Sequence, residues 1–132
     1  KSLPPAPTDT DPRIVPQAFS TVLERGKRLY EERCADCHGK QGEGVRGAYP
    51  PLAGNRAVTL PVTSNLVQVV LHGGFAPATR GNPRPFGMPP YSAALSKQEI
   101  ADVLTYVRTS WGNDARSITA VEVQRHASGP LW

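Results

Sequence analysis

Two cysteines and a histidine fall within one short run, Cys34-Ala35-Asp36-Cys37-His38. Cys-x-x-Cys followed directly by His is the attachment signature of c-type haem, in which both thiols add to the vinyl groups and the imidazole becomes an axial ligand of the iron. Two other uses of the pair compete with this one. A structural zinc site needs four ligands, and His72 and His126 lack the paired spacing of a zinc finger. A thiol redox pair wants a preceding strand in a βαβ setting, whereas the residues before Cys34 read as helix. The chain has 2 Cys, both in the motif, so covalent attachment leaves no thiol for a disulfide or for catalysis.

Low-spin haem iron requires a second axial donor, which must come from elsewhere in the chain. Met88, His72 and His126 are the candidates. Met88, the chain's 1 Met, stands in Gly87-Met88-Pro89-Pro90, a rigid turn that suits presentation of a thioether and does not suit the core of a helix or strand. It leads for that reason. His72 closes a short helical pattern and reads as a last-turn residue, and His126 reads as a surface residue.

Several elements must position these groups. From about Ser20 to Arg33, Val22, Leu23, Gly26, Leu29 and Tyr30 recur at helix-face spacing, and the helix delivers the chain to Cys34. Glycine inside a helix costs about 1 kcal/mol, so Gly26 reads as a point of close approach by another helix. Gly39 to Thr63 reads as a long loop broken by glycines and prolines. A short helix follows from about Asn65 to His72, capped by Ser64 or Asn65, with Leu66, Val69 and Val70 as its apolar face and Gly73-Gly74 as its stop. Phe75 to Pro90 is a second irregular stretch. Ser96-Lys97-Gln98-Glu99 is a capping box that opens the clearest helix, with Ile100, Val103, Leu104, Val107 and Trp111 on one face and Gly112 as its stop. After an exposed loop over 113–117, Thr119 to Glu122 resembles another box and opens a last short helix to His126, with Gly129-Pro130 ending it.

At 132 residues the chain fits one domain. Its 14 Pro and 12 Gly against 7% aromatic residues point to few helices joined by long irregular connections, with little sheet. The division expected is a Pro-rich tail or linker over 1–18, one domain over 19–113 and a C-terminal extension over 114–132. The most apolar stretch, Leu66 to Leu71, is far shorter than the roughly 18 residues that span a bilayer. The chain begins at Lys1 without signal-peptide features and reads as a mature or excised segment. The formal charge is +4. Lys40, Arg46, Arg56, Arg80 and Arg84 fall in the loops around the expected crevice, either as a docking face for an acidic partner or as an ordinary solvated surface. Basic residues neither cluster nor alternate with aromatics, so nucleic-acid binding is unsupported.

From Ser20 to Trp111 these features together resemble the class I cytochrome c family. The resemblance implies an all-α fold of three main helices plus short ones, wrapped by long loops around one covalent haem c. It implies a crossing of the helix carrying Gly26 and Tyr30 with the helix carrying Tyr106. It also sets Pro50, in Tyr49-Pro50-Pro51-Leu52, at the position whose carbonyl orients the ligand histidine. The runs Pro51 to Asn55, Gly87 to Tyr91, Leu95-Ser96, Ile100 to Arg108 and Ser110 to Asn113 resemble, more narrowly, the cytochrome c domains of membrane-associated bacterial alcohol and sugar dehydrogenase complexes, from which the single haem motif here departs.

The expected site is therefore Cys34, Cys37, His38, Met88 and Pro50, with His38 and Met88 on the iron. The expected work is one-electron transfer from a dehydrogenase or other redox donor toward a respiratory oxidase or another cytochrome, in the periplasm, with no catalytic site of its own. A relay domain of a larger fused redox enzyme, and a haem enzyme or sensor with an open sixth position, are the alternatives.

Overall fold

Phe19–Arg33 form α1, which the chain enters without a side-chain cap and which buries Gly26, Leu29 and Tyr30. In the computed structural model the described residues are 18–74 and 87–128. Cys34 closes α1, its N–H bonding the Tyr30 carbonyl, and one further turn, α2 (Ala35–His38), follows at once. Gly39, at φ 86°, ends it in a conformation that side chains rarely adopt. The long loop expected from Gly39 to Thr63 contains a four-residue helix, α3 (Arg56–Thr59), started by Asn55, whose side chain accepts from the Ala57 N–H at 2.9 Å. An Asx cap on so short a helix left no periodicity to read.

The next helix, α4 (Ser64–His72), begins one residue before its expected start, and its N-cap is Thr63 rather than Ser64 or Asn65. Thr63 makes no capping bond because its hydroxyl donates instead to the Glu122 carboxylate. Leu66, Val69 and Val70 face a large cavity as their spacing predicts, while Val67 and Leu71 are buried. The capping box is present as read: Ser96 Oγ accepts from the Glu99 N–H at 3.1 Å, and Glu99 Oε1 accepts from the Ser96 N–H at 2.8 Å. It opens α5 (Lys97–Thr109).

That helix stops short of Trp111. Thr109 and Ser110 turn their hydroxyls back onto the Thr105 and Tyr106 carbonyls, at 2.8 and 2.5 Å, and Ser110 takes an extended backbone. Trp111 then sits at φ 55°, and its ring packs at a tilt against Tyr30 and edge-to-face with Tyr106, at centroid distances of 5.0 and 5.6 Å.

The last helix, α6 (Ala120–Ser128), packs on α4 and α5 and buries Val123, with Ile118 buried just before it. Half of its expected box forms: Thr119 Oγ1 accepts from the Glu122 N–H at 3.2 Å, but the Glu122 carboxylate is drawn away to Arg116 and Thr63. Residues 114–117 are largely exposed as expected, whereas Asn113 is buried.

The principal helix contact is between α1 and α5. A Cβ added to Gly26 would lie 2.3 Å from the Asp102 carbonyl oxygen and 2.8 Å from Tyr106 Cβ, so only hydrogen fits at the crossing. Arg25 Nε donates to Asp102 Oδ2 at 2.8 Å beside it. Among the described residues there is no strand, only isolated bridges between Val45 and Tyr49 and between Gly74 and Met88. The fold is all-α, and no helix in the described residues is long and apolar enough to cross a membrane. Arg80, Arg84, the proline-rich start and the Gly129-Pro130 stop lie outside the described residues.

Candidate functional site

Winding Cys34 to His38 into one helical turn places Cys34, Cys37 and His38 on one face, since residues three and four apart are neighbours on a helix. All three line a cavity of about 410 Å3. Its other walls are predominantly apolar: Leu66, Val69 and Val70 from α4, Val103, Leu104 and Val107 from α5, and Leu52 and Val58 from the intervening loop. Volume and lining suit a large, flat apolar group approached by few polar atoms. Arg33, Ala57, Gly87 and Pro89 also line the cavity yet are exposed, so they mark its mouth.

His38 is nearly buried, at 9% exposure. Its Nδ1 lies 2.9 Å from the Pro50 carbonyl oxygen, and because a carbonyl only accepts, Nδ1 carries the hydrogen. Nε2 is then the nitrogen with a lone pair to give. Burial is the main cause that pushes the Cys34 thiol up to about 11, with Cys37 adding to it and Arg33 opposing it. Cys34 is therefore a thiol at neutral pH, unlike the low-pKa thiolate of a redox Cys-x-x-Cys pair. Among the described residues no group of three or more His, Cys, Asp or Glu side chains is placed to hold a metal ion by itself.

Met88 lies on the same cavity. Reciprocal backbone bonds to Gly74 hold it at the end of α4, Met88 N–H to Gly74 O at 2.7 Å and Gly74 N–H to Met88 O at 3.1 Å. Gly73, at φ 74°, allows the approach, since a Cβ there would meet the Met88 carbonyl oxygen at 2.5 Å. His72 is exposed on the last turn of α4 and lines no part of the cavity. His126 is on α6, its Nε2 3.2 Å from Thr63 Oγ1, so it is tied to the helix packing rather than lying on open surface. The structure thus brings Cys34, Cys37, His38, Pro50 and Met88 to one cavity and leaves the other two histidines outside it.

Two residues outside the expected set shape the site. Tyr91 lines the cavity and donates from its hydroxyl to the Arg33 carbonyl at 2.9 Å, linking the Met88 segment to the end of α1. Burial raises its phenol above the ordinary value. Tyr49 also lines the cavity, and a hydrogen bond with the Cys37 side chain is the main cause raising its phenol. An aromatic just after a double proline, or just before one, is the signal that marks each of them in the sequence.

The donor set fits haem c. Two thiols on one helical face can form the thioethers, an oriented imidazole and a thioether sulfur share the cavity, and the remaining walls are predominantly apolar.

The family profile described as Cytochrome c matches residues 23–111. The cytochrome c subunit of the quinone alcohol dehydrogenase from Gluconacetobacter polyoxogenes is 41% identical over 133 aligned residues, covering 95% of this chain and 28% of the relative. The gluconate 2-dehydrogenase cytochrome c subunit of Pantoea cypripedii is 33% identical, covering 76% of this chain and 23% of the relative. Cytochrome c-552 of Thermus thermophilus is 35% identical, covering 76% of this chain and 82% of the relative. The chain therefore spans only about a quarter of the dehydrogenase subunits but most of the small cytochrome, with the haem motif, the Pro50 acceptor and the α1–α5 crossing all inside the matched region: it belongs to the cytochrome c family.

Proposed function

We propose that the chain binds one haem c through Cys34 and Cys37, holds its iron between His38 and Met88, and passes single electrons from a dehydrogenase toward a respiratory acceptor such as an oxidase or another cytochrome, on the periplasmic side of a bacterial membrane. The dehydrogenase as donor rests on the relatives named for such complexes. The observation that carries the ligand reading is that Met88 and the Pro50-oriented imidazole of His38 line one apolar cavity.

When bound, haem supplies the ferric/ferrous couple. The residues do the rest. Cys34 and Cys37 hold the group against α2, and the Pro50 carbonyl fixes the tautomer of His38 and raises its basicity. The Met88 thioether favours the ferrous state, as do apolar walls that keep water from the extra ferric charge. The Tyr91 bond to Arg33 ties the Met88 segment to the motif, so both ligands can stay in place while the charge changes.

Met88→Ala tests this reading. The unaltered holoprotein should show a low-spin c-type spectrum with the weak ferric band of sulfur ligation, and should bind carbon monoxide slowly. Met88→Ala should abolish the band, lower the reduction potential and speed carbon monoxide binding. Rapid carbon monoxide binding by the unaltered ferrous protein would establish an open sixth position and the enzyme or sensor reading instead.

A further inference from the structure

The Pro50 carbonyl is held from both sides: before it, Tyr49 exchanges backbone hydrogen bonds with Val45 at 2.8 and 2.9 Å, and after it Asn55 Nδ2 donates to the Pro51 carbonyl at 2.8 Å, but none of these bonds ties the segment to a long helix. Pro50 and Pro51 have no N–H, so neither can anchor its own segment by donating a hydrogen bond. The first amides past them are Leu52, Ala53 and Gly54. Leu52 and Ala53 donate to the Gly42 carbonyl at 2.7 and 3.0 Å. Gly54 donates to Asn113 Oδ1 at 2.8 Å. Asn113 Nδ2 donates back to the Leu52 carbonyl at 3.1 Å and to the Val107 carbonyl of α5 at 2.9 Å. One buried amide thus uses both Nδ2 hydrogens and its oxygen to fasten the segment that follows Pro50 to the end of α5. Only one orientation of the amide satisfies all three bonds, because two of its neighbours are acceptors and the third is a donor.

The other anchor leads back to the same turn. Gly42, whose carbonyl receives Leu52 and Ala53, lies under the Trp111 ring, where an added Cβ would meet Trp111 Cε3 at 2.5 Å. Trp111 is the one described non-glycine residue with positive φ, at 55°, and Gly112 follows at 86°. That unusual backbone is what turns the chain from α5 so that Trp111 covers Gly42 and Asn113 points at Leu52 and Gly54.

We propose that Asn113 is a positioning residue for His38: its three hydrogen bonds hold the Leu52–Gly54 segment, and through it the Pro50 carbonyl, against the imidazole Nδ1–H. The proposal rests on His38 being the iron ligand. Its consequence has a definite sign. A firmly held acceptor makes the imidazole a stronger donor and favours ferric iron. Loss of the clamp weakens that bond and raises the reduction potential, whereas a crevice merely opened to water would favour the charged ferric state and lower it.

The experiment compares holoprotein variants Asn113→Ala, Asn113→Asp and Thr105→Val. Thr105 is a control on the same helix: it is fully buried, and its hydroxyl bonds Ile118 at 3.1 and 3.0 Å, away from the cavity. The readouts are midpoint potential, hydrogen exchange of the His38 ring N–H in the ferrous protein by NMR, and urea stability. Asn113→Ala should raise the potential by about 28 mV, a roughly threefold loss of ferric preference at about 59 mV per tenfold, and should accelerate ring N–H exchange. Thr105→Val should lose stability with neither change. If Asn113→Ala yields no folded protein, Asn113→Asp, which keeps the acceptor for Gly54 but loses both donors, is judged on accelerated ring N–H exchange alone, because its added negative charge itself favours ferric iron. An unmoved or lowered potential in Asn113→Ala, unchanged ring N–H exchange in the Asn113 variant used, or an equal rise in Thr105→Val, overturns the proposal. An unaltered protein whose NMR spectrum lacks haem-shifted His38 signals overturns the ligand reading, and the positioning role with it; normal His38 signals with unresponsive Asn113 variants overturn the positioning role alone.

Discussion

A single hydrogen atom sets how closely α1 and α5 can pack. At Gly26 the atoms that a methyl group would strike include the Asp102 carbonyl carbon and oxygen, which cannot swing aside as a side chain would. Overpacking of this kind costs about 1–3 kcal/mol, and rigid backbone neighbours put it at the upper end. Alanine returns about 1 kcal/mol of helix propensity. Gly26→Ala should therefore lower holoprotein stability by about 2 kcal/mol in urea unfolding, and an unchanged midpoint would mean that the helices part easily. Gly26 was legible in the sequence because a glycine interrupts an otherwise good helix. Arg108 was not. At 1% exposure it lies on the buried side of α5 and donates to the Val58 and Leu60 carbonyls at 2.8 Å each and to Arg116 at 3.0 Å. Arginine in the last turn of a helix ordinarily reads as solvated, and only the folded loop supplies the carbonyls that make its burial tolerable.

Among the elements, local signals held where the bonds they invoke are local. The Ser96–Glu99 box closes within one turn, and the Cys34–His38 turn is likewise self-contained. The caps of α4 and α6 differ from their simplest reading because Thr63 and Glu122, from segments far apart in the chain, bond each other. Glu122 also takes both terminal nitrogens of Arg116, at 2.8 and 2.9 Å, and His126 faces the same threonine hydroxyl. The Arg116 guanidinium is the main cause holding the Glu122 carboxyl below the usual 4.5, helped by Thr63 and His126 and opposed by burial. A carboxyl lowered in the folded state stabilises the fold above its unfolded value, and that stability is lost as pH falls from about 4.5 through the folded value. Glu122→Gln should cost about 1–2 kcal/mol at pH 7, with Arg116 half exposed and its pairing discounted accordingly. It should also flatten the acid limb of the stability curve below pH 4.5. An acid limb as steep as in the unaltered protein would show that α6 is held by Val123 and its apolar neighbours alone.

At the scale of the whole molecule, the proposed function poses the question of how a group held in a cavity walled by apolar side chains would exchange electrons with another protein. Protein docking at the mouth is governed by what surrounds it. Arg33 lines the mouth and is exposed, Arg56 is exposed beside the lining residue Ala57, and Lys40 and Arg46 are exposed on the loop that follows the haem motif. Asp36 and Glu43, exposed in the same segments, offset part of this charge, and the formal charge of +4 leaves the molecule net positive. Such a field acts over about 30 Å at 0.01 M salt and about 10 Å at 0.1 M. Oxidation of the ferrous holoprotein by the ferricyanide anion should therefore slow several-fold between those two salt concentrations, while oxidation by a hexaammine metal cation should quicken. Replacing Arg33 and Arg56 together by Gln should remove much of both slopes and leave the rates at high salt nearly unchanged. Equal salt slopes in the variant and the unaltered protein would place the exchange route elsewhere on the surface and make these arginines ordinary solvated side chains. Opposite responses of the anionic and cationic oxidants, both reduced by the double substitution, would identify the mouth as the face that an acidic redox partner meets.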